Sequence, residues 1–205
     1  MTHILDTNAL QTLLDEATQA VESHPTTSLL QTDLDRFHDL NREAGREVGD
    51  RVLDAVVRTI DHVAAESGWT GARVGGDEFA LLAPGVPLEA AFLRAEELRL
   101  ALDEAIAAEL ADGVSCTASV GVVNVPRDGK TAEDLLRKAP LALHSAKEQG
   151  GDRVGLSPGD EMVLKSSYYG VAQLSRLKTL AERTSKKESV LLREALDDLL
   201  RKYSS

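Results

Sequence analysis

The sequence predicts a mixed α/β (α+β) fold, a sheet flanked by helices over residues 1–156, with a small helical unit over residues 161–205. Three observations carry that prediction. Short β-branched runs alternate with longer helical periodicities as far as residue 156. A turn-rich stretch, LSPGDE at 156–161, then interrupts the alternation. The charge balance also reverses across it: residues 161–205 hold nine Lys/Arg against six Asp/Glu, whereas residues 1–160 hold fourteen against twenty-eight, within a net charge of -11. An acidic body with a mildly basic tail argues for two functional parts.

The elements follow in order. Residues 7–22 carry the apolar spacing of an amphipathic helix. TSLLQTDLD at 27–35 reads as a buried strand ending on acids, and residues 36–44 and 46–67 read as helices, the second closed by Gly68. WTGARV and EFALLAP at 78–84 are predicted strands, joined as a hairpin across Gly75-Gly76. A long Ala/Leu/Glu helix at 87–110 precedes a β-branched strand at 114–125, a helix at 131–149 and a short edge strand at 151–155. In the tail, a β-like VLKSSYY leads into two helical stretches. Val171, Leu174, Leu177 and Leu180 share one face of the first, and Leu192, Ala195, Leu196, Leu199 and Leu200 one face of the second.

Composition narrows the classes. With 205 residues, 42% of them apolar, the chain has enough material for a buried core. Its apolar runs are too short for a bilayer span, and its N-terminus is acidic rather than signal-like, so no membrane association is expected. A lone Cys116 makes no internal disulfide and no Cys/His cluster suits zinc, which points to a reducing, cytoplasmic protein.

Chemistry concentrates in two places. DLDRF at 33–37 ends a strand, and RVGGDEF at 73–79 forms a hairpin turn. If those strands are neighbours, Asp33 and Asp77 converge at one sheet edge. Two carboxylates open to water and phosphate suit a hard cation such as Mg²⁺. Such a cation lowers the pKa of an attacking hydroxyl and neutralises a triphosphate leaving group. Gly75 and Gly76, lacking Cβ atoms, admit phosphate or base close to the backbone and tolerate φ > 0.

TDLDRFHDLNREAGREVGDRVL, RVGGDEFALLAPG, SVGVVNVP and AKEQG, in that order over residues 28–155, resemble the GGDEF (diguanylate cyclase) family. The resemblance implies a nucleotidyl-cyclase, palm-like sheet, Mg²⁺ or Mn²⁺ as cofactor, and two GTP molecules condensed into cyclic di-GMP. It also implies residue roles. Asp33 and Asp77 bind metal together with the Leu34 carbonyl, Asp77 is the nominal active-site residue, and Glu78 helps accept the 3′-hydroxyl proton. Asn41 and Asp50 grip guanine, whose N1–H and exocyclic amine suit a carboxylate acceptor. Gly75, Gly76 and Lys147 meet phosphate. There are departures. His38 stands where a triphosphate-contacting Lys is usual, Arg46 replaces a His, Pro140 and His144 break an A-D-x-A-L-Y pattern, and Gly151 replaces a phosphate-binding Arg. The inhibitory RxxD motif would fall at 66–69, which here read Glu66, Ser67, Gly68 and Trp69.

The tail, KSSYYGVAQLSRLKTLAERTSKKESVLLREALDDLL, is similar to the ribbon-helix-helix family. That likeness implies homodimerisation through residues 161–205. It also implies DNA contacts from Lys165, Ser166 and Tyr168 on the ribbon and from Lys186, Lys187 and Ser189 near the backbone. The expectation is a diguanylate cyclase that the tail dimerises and docks on DNA. The alternative is a non-enzymatic DNA-binding regulator whose GGDEF domain only senses GTP or a cyclic dinucleotide. A helical hairpin used for dimerisation alone is the simpler reading of the tail.

Overall fold

The structure, a computed structural model, describes residues 4–20, 26–158, 169–184 and 188–203. The chain forms two compact units that divide near residue 161.

The first unit runs α1 (Thr7–Gln19), β1 (Thr27–Asp35), α2 (Phe37–Ala44), α3 (Arg46–Ser67), β2 (Thr70–Arg73), β3 (Glu78–Pro84), α4 (Leu88–Ala107), β4 (Thr117–Val125), α5 (Ala132–Glu148) and β5 (Val154–Leu156). The strands make one sheet in the order β2-β3-β1-β4-β5, antiparallel except where β5 joins β4 in parallel. Strand alternation builds a core on each face. Leu30, Leu34, Phe79, Leu81, Val120 and Val122 pack against α3 and α4 on one side. Leu29, Ala80, Leu82 and Val123 pack against α1 and α5 on the other. At the outer edge of β2, the Leu5 N–H donates to Gly71 O at 3.0 Å and the Arg73 N–H to Leu5 O at 2.9 Å, which covers unpaired backbone there.

In the first unit the element order matches expectation and several bounds move, while the β-like run VLKSSYY expected in the tail lies, apart from Tyr169, outside the described residues. Helix α1 stops at Gln19, with the Ala20 N–H capping onto Glu16 O. Helix α4 starts after Pro87 and ends at Ala107, where tight turns from Glu109 and Leu110 finish it. Strand β4 begins at Thr117 rather than 114, because its partner β1 ends there, with Asp35 opposite Thr117. Strand β5 covers 154–156 rather than 151–155, since Gly150, Gly151 and Asp152 all take positive φ and form a turn.

The second unit contains α6 (Val171–Thr184) and α7 (Glu188–Tyr203), packed on each other. Ala181 and Leu191 are buried, whereas Val171 (86% exposed), Leu174 (43%), Leu196 (54%) and Leu199 (52%) face outward. Among the described residues no helix is long and apolar enough to cross a membrane.

Candidate active site

Strand β1 sends Leu29, Gln31, Asp33 and Asp35 to the α5 face by its two-residue period. In the two ladders, Asp33 lies opposite Glu78 of β3 and opposite Ser119 of β4. Asp77 immediately precedes β3, so Asp33, Asp77 and Glu78 gather where β1 and β3 end. Gln31 Nε2 donates to Glu78 Oε2 at 3.5 Å.

Helix α5 closes this site from above because two glycines let it sit directly on the sheet. A Cβ on Gly121 would lie 2.3 Å from the Leu143 backbone nitrogen, and one on Gly155 would lie 2.5 Å from Ala142 O. At the end of that helix the Lys147 ammonium donates to Asp33 Oδ1. Burial pushes the Asp33 carboxyl above the usual carboxylate range. The Lys147 ammonium opposes that shift, and the neighbouring charges of Asp77 and Glu78 add to it.

The hairpin before Asp77 is closed by Arg73, whose Nε donates to the carbonyls of Gly75 and Gly76, each at 3.2 Å. Its guanidinium also stacks 5.5 Å from the Phe79 ring centroid. One expectation is corrected here: neither Gly75 nor Gly76 occupies the positive-φ region. A Cβ on Gly76 would meet nothing within 4 Å, which leaves open space over the turn rather than backbone strain as the use of the glycine.

Asn41 of α2 packs against α3 so closely that a Cβ on Gly49 would lie 2.0 Å from Asn41 Oδ1. The carboxamide is thereby fixed beside the residue preceding Asp50, which is exposed. His38 and Arg46 are exposed on α2 and α3, Pro140 is exposed within α5, and His144 pairs with Glu148 at 3.2 Å. Gly151 is buried in the turn after α5. The window 66–69 forms the end of α3 and its left-handed Gly68 cap, with Glu66 paired to His62 at 3.5 Å.

The two carboxylates suit a hard divalent cation, and the Leu34 carbonyl, the third ligand that the resemblance implies, lies at the same end of β1. Among the described residues no group of three or more His, Cys, Asp or Glu side chains is placed to hold a metal by itself. Carbonyl and phosphate oxygens would complete the shell, as expected for Mg²⁺, which keeps several non-protein ligands.

Sequence reasoning missed two groups. One is Asp35, which accepts from Thr117, Ser119 and the backbone of Asp152. Its two-residue spacing from Asp33 is the signal that places it on the same face. The other is a charged cluster in which Arg99 donates to Glu96 (3.0 Å), Asp103 (2.7 Å) and Asp152. Of the tail residues with implied DNA contacts, Lys165, Ser166, Tyr168, Lys186 and Lys187 lie outside the described residues. Ser189 falls in the first turn of α7.

A palm-like sheet with flanking helices and carboxylates at the β1/β3 end defines the nucleotidyl-cyclase class of domain. The match in sequence is more specific: residues 1–153 match the family described as diguanylate cyclase, GGDEF domain, and residues 167–204 match the ribbon-helix-helix domain. The chain belongs to the GGDEF family. It is 31% identical over 161 residues to diguanylate cyclase A of Treponema denticola, covering 77% of this chain and 43% of that protein. Among solved structures, the GGDEF domain of DgcB from Caulobacter crescentus in complex with c-di-GMP superposes with TM-score 0.66 at 26% identity, covering 76% of this chain and 92% of that one. A sensory box/GGDEF family protein from Caulobacter crescentus CB15 is 36% identical with TM-score 0.60, covering 73% and 96%. The chain spans less than half the length of the curated diguanylate cyclases of Treponema denticola and Vibrio cholerae.

Proposed function

We propose that this chain is a diguanylate cyclase that condenses two GTP molecules into cyclic di-GMP with Mg²⁺ or Mn²⁺. Residues 1–156 form the catalytic unit, and residues 161–205 form a ribbon-helix-helix tail that pairs two chains and docks them on DNA. The observation that carries the reading is the meeting of Asp33, Asp77 and Glu78 at one sheet end with Lys147 laid on Asp33.

Each residue has a task under this reading. Asp33, Asp77 and the Leu34 carbonyl would hold the cation, which when bound would supply hydroxyl activation and charge neutralisation at the triphosphate. Glu78 stands by to accept the 3′-hydroxyl proton. Lys147, which donates to Asp33 here, would turn to phosphate oxygens once Asp33 serves as a metal ligand. Asn41 and Asp50 read guanine, and the open turn at Gly75-Gly76 admits the phosphates beside His38. A second reading, a GTP or cyclic-dinucleotide sensor, draws on Gly151, which carries no cation in a turn next to Lys147.

One assay separates the two. Purified full-length protein is incubated with GTP and Mg²⁺, and the nucleotides are resolved by chromatography and mass. Cyclic di-GMP formation is the expected result. GTP binding without any product over a range of protein concentrations favours the sensor.

A further inference from the structure

Asp33 and Asp35, two residues apart on the same face of β1, hold one stretch of chain in two places. Asp33 takes the tip of Lys147. Asp35 takes the turn that follows Lys147, accepting the Asp152 N–H at 2.9 Å. The same carboxylate accepts the Thr117 hydroxyl at 2.8 Å and the Ser119 hydroxyl at 2.8 and 3.0 Å on its two oxygens. Ser119 is fully buried, so its hydroxyl depends on a protein acceptor.

The turn itself is bent onto Asp35. Gly151 has φ +73°, and a Cβ there would lie 3.0 Å from the Asp35 carboxyl group. The turn is also bonded back to α5, because Gly150 donates to Lys147 O at 3.0 Å and Gly151 to Ala146 O at 3.2 Å. The peptide that carries Lys147 is therefore tied to β1 only two residues beyond the carboxylate its ammonium touches.

We infer that Asp35 is a positioning residue: by clamping the 150–152 turn to β1 it fixes the end of α5 and aims Lys147 at the phosphate end of the site. This rests on the nucleotide reading given above only for its consequence, since the clamp itself is read from contacts within the chain. The geometry also accounts for Gly151. A side chain at that position would meet an unfavourable backbone conformation and would press on the Asp35 carboxyl group, which would have to give by a few tenths of an ångström.

Two measurements on the full-length protein test it. The first is amide exchange across residues 147–153 in the wild type, Asp35→Ala and Asp35→Asn. Asn keeps an acceptor for the Asp152 N–H. At least tenfold faster exchange in Asp35→Ala, largely restored in Asp35→Asn, is expected. Unchanged exchange in Asp35→Ala overturns the clamp, whatever the protein does with GTP.

The second is affinity for a non-hydrolysable GTP analogue with Mg²⁺ in a double-mutant cycle with Lys147→Ala. Asp35→Ala should weaken binding about tenfold when Lys147 is present and less than twofold when it is not. An equal loss in both backgrounds, or a fall in thermal stability with affinity unchanged, overturns the link to Lys147. If the wild type binds no analogue while the exchange result holds, the clamp stands and the nucleotide reading fails.

Discussion

The ammonium of Lys147 rests on the carboxylate of Asp33, 114 positions earlier in the chain. That pair joins the last turn of α5 to the end of β1 and supplies one positive charge to a site that otherwise gathers three acids. If Asp33 and Asp77 hold the proposed cation, removing either should be felt in chemistry before it is felt in folding. Asp77→Ala should abolish metal-dependent product formation while leaving the thermal midpoint close to wild type, since Asp77 lies at a turn outside the ladders. Asp33→Ala should abolish it too. Product formation at the wild-type rate in Asp77→Ala would sink the assignment.

The grip on the base gives a second expectation. Asn41 is held against α3 at Gly49, next to Asp50, and under the proposed function this pair would read the guanine. Asp50→Ala should narrow the preference for GTP over ATP by about 1–3 kcal/mol, the usual cost of leaving donors without their acceptor. Competition binding with the two nucleotides measures this directly, and an unchanged ratio removes Asp50 from base recognition.

Product feedback is a third. The window 66–69 holds Glu66, an α3-ending Ser67, the Gly68 cap and Trp69, with no Arg–Asp pair to take up a guanine and a phosphate. Cyclic di-GMP should leave initial rates unchanged through this region. Inhibition that disappears on Glu66→Ala or Trp69→Ala would contradict the assignment.

The Arg99 cluster gives stability a pH dependence. Burial pushes the Asp103 carboxyl up to about 6, the Ala118 N–H at 3.0 Å opposes that shift, and the hydrogen bond and charge of Asp152 add to it against Arg99. Glu96, on the same helix, also faces Arg99, and the Cys116 thiol nearby is pushed up to about 12, so it stays neutral throughout. In the unfolded chain an Asp ionises near about 4. The folded state therefore binds this proton more tightly, and its contribution to stability is present below pH 4 and lost as pH rises to 6. Denaturant titrations should show Asp103→Asn gaining on the wild type across that window. A difference that stays constant between pH 4 and 7 refutes the cluster's role.

Much of this architecture is readable in sequence, for local reasons. Strand alternation in TSLLQTDLD and helical spacing in residues 46–67 are set by nearest neighbours, so β1 and α3 emerge at their true bounds. The signature carries Asp77 and Glu78 at once, and antiparallel pairing of β1 with β3 brings Asp33 to them. What stays hidden depends on distant partners. Asp35 meets Thr117 and Asp152 across 82 and 117 positions. The turn at 150–152, which shortens β5, follows from positive φ at a non-glycine Asp152 that propensity disfavours.

The tail supplies the last expectation. In a single chain, Val171, Leu174, Leu196 and Leu199 remain exposed, while among the described residues of the two helices Ala181 and Leu191 are buried. A groove of about 670 Å³ between α6 and α7 is lined by Leu174, Leu177, Leu180 and Leu192. So small a helical pair buries too little apolar surface to hold alone, and a second copy would cover these leucines. Condensing two GTP molecules needs two loaded sites, and a tail-linked pair keeps them at an effective concentration in the range of roughly mM. Deleting residues 161–205 should therefore convert a dimer to a monomer and make cyclase activity steeply dependent on protein concentration, falling at nM and recovering at high µM. Any DNA binding should vanish with the same deletion and, in the full chain, weaken as salt rises. Sedimentation of the truncated protein beside an activity titration decides the matter. If the truncated body sediments as a dimer with activity independent of concentration, residues 161–205 are not what pairs the sites.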